Sequence, residues 1–177
     1  MLSFCLALDR INQTTARMVK WLAVLMVLIT LSVVLLRYLL EVGAIPLQEA
    51  VVYLHGLMFM LGIPAGIQGN THVRVDMIYG RLNRRWQTII DSTGHVLLLL
   101  PLSIFMGVIS LPYVKASWQV LEGSAEVGGL PAVFLLKTLI PVTAALMFVQ
   151  AISELGKNYL RLRGQLDYPE APKPGEQ

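Results

Sequence analysis

The sequence predicts an all-α integral membrane protein of four transmembrane helices, with a short interfacial helix at the N-terminus and both termini in the cytoplasm. Three observations predict it. Of 177 residues, 55% are hydrophobic and 14% are charged, where a soluble domain carries about 25% charged residues. Four apolar runs each reach the roughly 20 residues that a helix needs to cross a hydrocarbon core of about 30 Å. Eleven of the 14 Lys and Arg residues fall on one side of those runs.

The same numbers exclude other classes. A mean hydropathy of +0.64 is incompatible with intrinsic disorder, which needs low hydrophobicity and high charge. The single Cys5 excludes a disulfide framework and a Cys-rich zinc site. A net charge of +3 would suit nucleic acid. The basic residues, however, sit at the ends of apolar runs rather than along one polar face, so no nucleic acid partner is expected. No soluble segment is large enough to house an active site, so an enzyme is not expected either.

Residues 1–17, MLSFCLALDRINQTTAR, mix Leu, Phe and Ile with Arg and Asp, which reads as a short helix lying flat in the interface. The first span covers about 18–40. It begins too late, runs too long and lacks the following small-residue cleavage site of a signal peptide. The second span covers about 47–69, the third about 88–113 and the fourth about 131–155. None alternates in the manner of barrel strands. Residues 1–160 form one four-span domain, and residues 161–177 form a polar, Pro-rich cytoplasmic tail. Arg10, Arg17 and Lys20 precede span one. Arg74, Arg81, Arg84 and Arg85 lie between spans two and three. Lys157, Arg161, Arg163 and Lys173 follow or close span four. The positive-inside rule then puts the termini and the 70–87 loop in the cytoplasm.

Ionisable residues near a span either snorkel to the interface or mark function. Arg37, Glu41 and Glu49 flank the short outer loop after span one, an arrangement that predicts an interfacial ion cluster. Lys137 lies six residues into span four, about 9 Å deep by helical rise, where Glu122 or Glu126 of the outer loop can meet it. No acidic residue falls at mid-membrane, which argues against a proton relay or sodium site in this chain. His55 and His95 raise the alternative of a tetraspan cytochrome b-like electron-transfer subunit. Helical rise sets them about 8 Å apart in depth, too far for the two axial nitrogens of one haem.

Gly62 and Gly66 form a small-xxx-small pair in span two, which permits close helix approach. Pro64, Pro101 and Pro141 each remove a backbone donor from a span. In the inner loop, His72, Arg74 and Asp76 alternate with Val73 and Val75. Such a segment can rest in the interface, its apolar side toward lipid and its arginines toward phospholipid phosphates.

Three stretches carry a resemblance: RYLL at 37–40, QEAVVYLHGLMFMLGIPAGIQGNTHVRVD at 48–76, and LPAVFLLKTLIPVTAALMFVQ at 130–150. With the four-span layout, they make the chain resemble the small membrane subunit of tripartite ATP-independent periplasmic (TRAP) transporters, the DctQ-like family, over about residues 15–160. The resemblance implies a sodium-driven symporter of the bacterial inner membrane. In it, a periplasmic solute-binding protein delivers an organic acid to a large, elevator-type permease subunit. Cargo and sodium sites then belong to the large subunit, and no cofactor or metal is expected in this chain. The small subunit anchors and scaffolds the large one and helps form the docking surface. The expected subunit or lipid interface comprises Arg37, Glu49, Gly62, Gly66, His72, Arg74 and Asp76. The expected docking residues for the binding protein are Trp118, Glu122 and Glu126 of the outer loop.

Overall fold

Apolar length produces the four helices, and a computed structural model shows how they meet. It describes residues 2–68 and 82–167. Helix α1 runs Leu2–Leu39 and α2 runs Ile45–Gln68. Helix α3 runs Arg84–Gln119 and α4 runs Val133–Leu162. All four are long and apolar enough to cross a membrane.

One expectation is corrected. Residues 2–17 are not a separate surface helix; they continue α1 without a break. At about 1.5 Å per residue α1 is about 57 Å long, nearly twice the hydrocarbon thickness. One crossing therefore does not use the whole length of α1. The reason is packing on α4: Cys5, Asp9, Asn12 and Val19 are buried along one face, at the four-, three- and seven-residue steps of a helix stripe.

Helix α4 is the central element. Helices α1 and α2 pack on each other and both pack on α4, while α3 makes its helix contacts with α4. Neither α1 nor α2 packs along α3 among the described residues, so the four helices form an open arrangement rather than a closed four-sided bundle. Two close approaches set it. A Cβ at Gly56 would lie 3.0 Å from Leu136 Cδ1, which brings α2 against α4. On α3, Ser103, Ser110 and Ser117 are buried at seven-residue intervals, and a Cβ at Gly107 would lie 3.6 Å from Ala144 Cβ. Small residues let backbones approach closely where no water drives association. The serine hydroxyls at 103 and 110 donate to the carbonyls of Leu100 and Gly107, both at 2.9 Å, so they bring no unmet donor into the apolar layer.

Pro101 deforms α3 locally. The helix widens to a π-turn over His95–Leu99 just before it, and the Leu100 N–H reaches back to the His95 carbonyl. A proline has no N–H to donate and its ring crowds the preceding turn, and the wider register accommodates both. Pro64 and Pro141 lie inside α2 and α4.

Three helices end in the same way, with a left-handed residue after the last turn. These are Glu41 (φ 53°) after α1, Leu121 (φ 44°) after α3 and Gly164 (φ 67°) after α4. In each case the next N–H closes onto a carbonyl of the last turns: Val42 on Leu36 six residues back, Glu122 on Ser117 and Gln165 on Leu160 five residues back.

Candidate functional site

The polar chemistry gathers at the two ends of the helices. At the end bearing the termini, Asp9 and Asn12 of α1 meet Gln150, Ser153, Glu154 and Lys157 of α4. Asn12 Nδ2 donates to Gln150 Oε1 at 2.6 Å. Gln150 Nε2 donates to Glu154 Oε1 at 2.9 Å and to Asp9 Oδ1 at 3.3 Å. The Ser153 hydroxyl donates to Asp9 Oδ1 at 2.7 Å. Lys157 Nζ bridges the two carboxylates, 2.9 Å from Asp9 Oδ2 and 2.6 Å from Glu154 Oε1. Asn12 and Gln150 are 1% and 0% exposed, so this network ties the extension of α1 to α4 from inside.

At the opposite end, the connection from α3 to α4 is a built structure. The left-handed turn at Leu121 places Glu122 back over the last turn of α3. There its Oε2 accepts from Ser117 Oγ at 2.6 Å and from Lys137 Nζ at 2.5 Å. Lys137 also stands 4.2 Å from the centre of the Tyr113 ring, a cation–π contact that steadies the ammonium. The hydrogen bonds from Lys137 and Ser117 hold the Glu122 carboxyl below its ordinary value. Trp118 donates its indole N–H to Thr138 Oγ1 at 2.9 Å and packs edge-on against Phe134.

Glu49, in the first turns of α2, reaches across to this loop. Its Oε1 accepts from the Ser124 hydroxyl and its Oε2 accepts from the Leu130 N–H at 2.6 Å. The predicted cluster of Arg37, Glu41 and Glu49 is therefore not what Glu49 joins. Among the described residues no ion pair links the three, and Arg37 and Glu41 are exposed.

The other sequence-predicted residues fall as follows. Trp118 is bonded to α4 and Glu122 to both α3 and α4, whereas Glu126 is exposed and gives its N–H to Ser124 Oγ. A Cβ at Gly62 would meet nothing within 4 Å, so the close contact of α2 belongs to Gly56 instead. Gly66 lies one turn beyond Gly62 in α2. His72, Arg74 and Asp76 lie outside the described residues. The haem alternative finds no support: His55 is exposed on α2, and His95 on α3 spends its Nδ1–H on the Asp91 carbonyl at 2.6 Å.

Residues 26–160 match the family described as tripartite ATP-independent periplasmic transporters, DctQ component. The chain belongs to the DctQ family. No curated protein and no solved structure matches it. As a DctQ chain it is the small membrane subunit of a TRAP transporter, a multi-pass membrane protein. A large permease subunit and a periplasmic binding protein are the partners that a tripartite system implies. Two features of this DctQ chain escaped the sequence reading. The serine heptad of α3 was visible as Ser103, Ser110 and Ser117 at equal spacing. The pairing of Asp9 with Lys157 spans 148 positions and left no local signal.

Proposed function

We propose that this chain is the static brace of a sodium-driven, binding-protein-dependent transporter for organic acids. It holds the large elevator subunit at fixed depth and tilt in the inner membrane, with both termini cytoplasmic, and it offers part of the surface on which the periplasmic binding protein docks. The observation that carries the reading is the fastening of every helix to α4 or its preceding loop. Asp9–Lys157 secures α1, Glu49 secures α2, and Glu122–Lys137 secures α3. These bonds sit at the helix ends, and the long stretches between them present Leu, Ile, Val and Phe outward. A moving domain needs such a stationary wall, and the open arrangement leaves long apolar faces for a neighbour or for lipid. Gly62, Gly66, Arg37, His72, Arg74 and Asp76 are assigned to the subunit or phospholipid interface, with Arg74 and the neighbouring arginines toward lipid phosphates.

The test is the double substitution Arg74→Ala with Asp76→Ala in the assembled transporter. Assembly or uptake falls while the order of preference among acids stays the same. A changed preference with assembly intact overturns the brace reading, as does sodium-driven uptake by this chain reconstituted alone.

A further inference from the structure

The loop between α3 and α4 is held by a residue outside it. Both oxygens of Glu49 are occupied by this loop: one by the Ser124 hydroxyl, the other by the Leu130 N–H at 2.6 Å. The two loop donors are six residues apart, and the Ser124 N–H also bonds the Leu130 carbonyl at 3.1 Å. The carboxylate therefore closes the neck of a small loop. Gly129 shows how tightly it closes. A Cβ there would fall 2.6 Å from Ser124 Cβ and 2.7 Å from Glu49 Oε1, so no side chain fits between the neck and the carboxylate. Beyond the neck, the Gly129 N–H bonds the Glu126 carbonyl at 3.0 Å. Gly128 sits at φ 79°, the value that a type II turn requires of its third residue. This turn carries Val127 at its tip, 91% exposed, beside the exposed Glu126.

We infer that Glu49 is a positioning residue for docking: by clamping Ser124 and Leu130 it presents the Glu126–Gly129 turn, with Val127 at its apex, in one preformed shape to the soluble binding protein. The inference rests on the docking reading given above. An apolar side chain fully exposed on a hydrogen-bonded turn has already met the ordering cost that a mobile loop would meet on association. Charge-assisted bonds from a hydroxyl and an amide to a carboxylate are the stronger class of hydrogen bond, which suits a clamp. The substituents that matter are thus a carboxylate on α2, a small hydroxyl at 124 and a missing side chain at 129.

The experiment uses the complete transporter in proteoliposomes with its own binding protein. Glu49→Ala, Ser124→Ala and Val127→Ser are compared by hydrogen exchange over residues 122–132 and by uptake against binding-protein concentration. Glu49→Ala is expected to speed exchange in this segment and to raise the half-saturating binding-protein concentration about tenfold, with maximal uptake at saturation retained. Ser124→Ala shifts both in the same direction by less. Val127→Ser leaves exchange unchanged and still raises the half-saturating concentration. Unchanged exchange in Glu49→Ala overturns the clamp. Faster exchange with an unchanged half-saturating concentration, together with a silent Val127→Ser, leaves the clamp standing but overturns docking at this loop. Loss of maximal uptake alone overturns the positioning role in favour of a purely structural one.

Discussion

Lys157 Nζ lies 2.9 Å from Asp9 Oδ2 and 2.6 Å from Glu154 Oε1, so one ammonium serves two carboxylates at the meeting of α1 and α4. All three side chains are about nine-tenths buried. The asymmetry makes a prediction about which partner matters most. Lys157→Met leaves two carboxylates facing each other and should cost about 3–5 kcal/mol, the usual consequence of stripping a buried charge of its partner. Asp9→Asn keeps the Lys157–Glu154 pair and should cost about 1–2 kcal/mol. Thermal unfolding in detergent checks the order; equal losses would show that the ammonium is not the hub.

Acid should loosen the α3–α4 loop through Glu122. Its carboxyl is held below the ordinary value by Lys137 and Ser117. A depressed folded value means that the bond contributes above the unfolded value and is lost as pH falls through the folded one. Trp118 reports on this locally, since its indole bonds Thr138 beside the same turn. Its emission should be steady at neutral pH and change on acidification below the ordinary carboxylate range. Glu122→Gln should flatten that change; a transition of the same size and midpoint in the variant would refute the assignment.

The glycines of α2 should separate by partner. Gly56 faces Leu136 at 3.0 Å, whereas Gly62 faces open space within this chain. Gly56→Ala is expected to be tolerated, because the tip of Leu136 can turn away. Gly56→Leu must push α2 from α4 and should cost about 1–3 kcal/mol. Gly62→Leu should leave the melting of the isolated chain unchanged and lower its recovery with the large subunit in a pull-down. Equal recovery would remove Gly62 from the subunit interface.

The serine seam of α3 offers the complementary measurement. Ser110→Ala should be nearly neutral, since its hydroxyl bonds only its own helix at Gly107. Ser110→Leu should cost about 1–3 kcal/mol by wedging α3 from α4, read as a lower melting temperature.

The spans were legible because each is an unbroken apolar run, and burial in lipid leaves such a run little choice but helix. The N-terminal extension was not. The mixed apolar and charged residues of 1–17 read as a surface helix because the partners of Asp9 and Asn12, Lys157 and Gln150, lie 148 and 138 positions away. Lys137 was legible, since Glu122 was one of the two acids placed within reach. Glu49 was not, because its partners are a loop hydroxyl and a backbone amide, and neither carries a charge that a sequence displays. Gly62 and Gly66 announced a close approach by their spacing. Gly56 made the contact inside the chain, with no second small residue four positions away to advertise it.

The centrality of α4 has a bearing on biogenesis. Translation and insertion run from the N-terminus, so α3 enters the bilayer before the helix it packs on exists. Until residues 133–162 follow, the serine seam of α3 faces lipid and Asp9 lacks its ammonium. Nascent chains arrested before that point would hold a paired α1 and α2 beside a solitary third helix, a natural substrate for membrane quality control. Completion of the last span is thus the step that converts inserted segments into one protein.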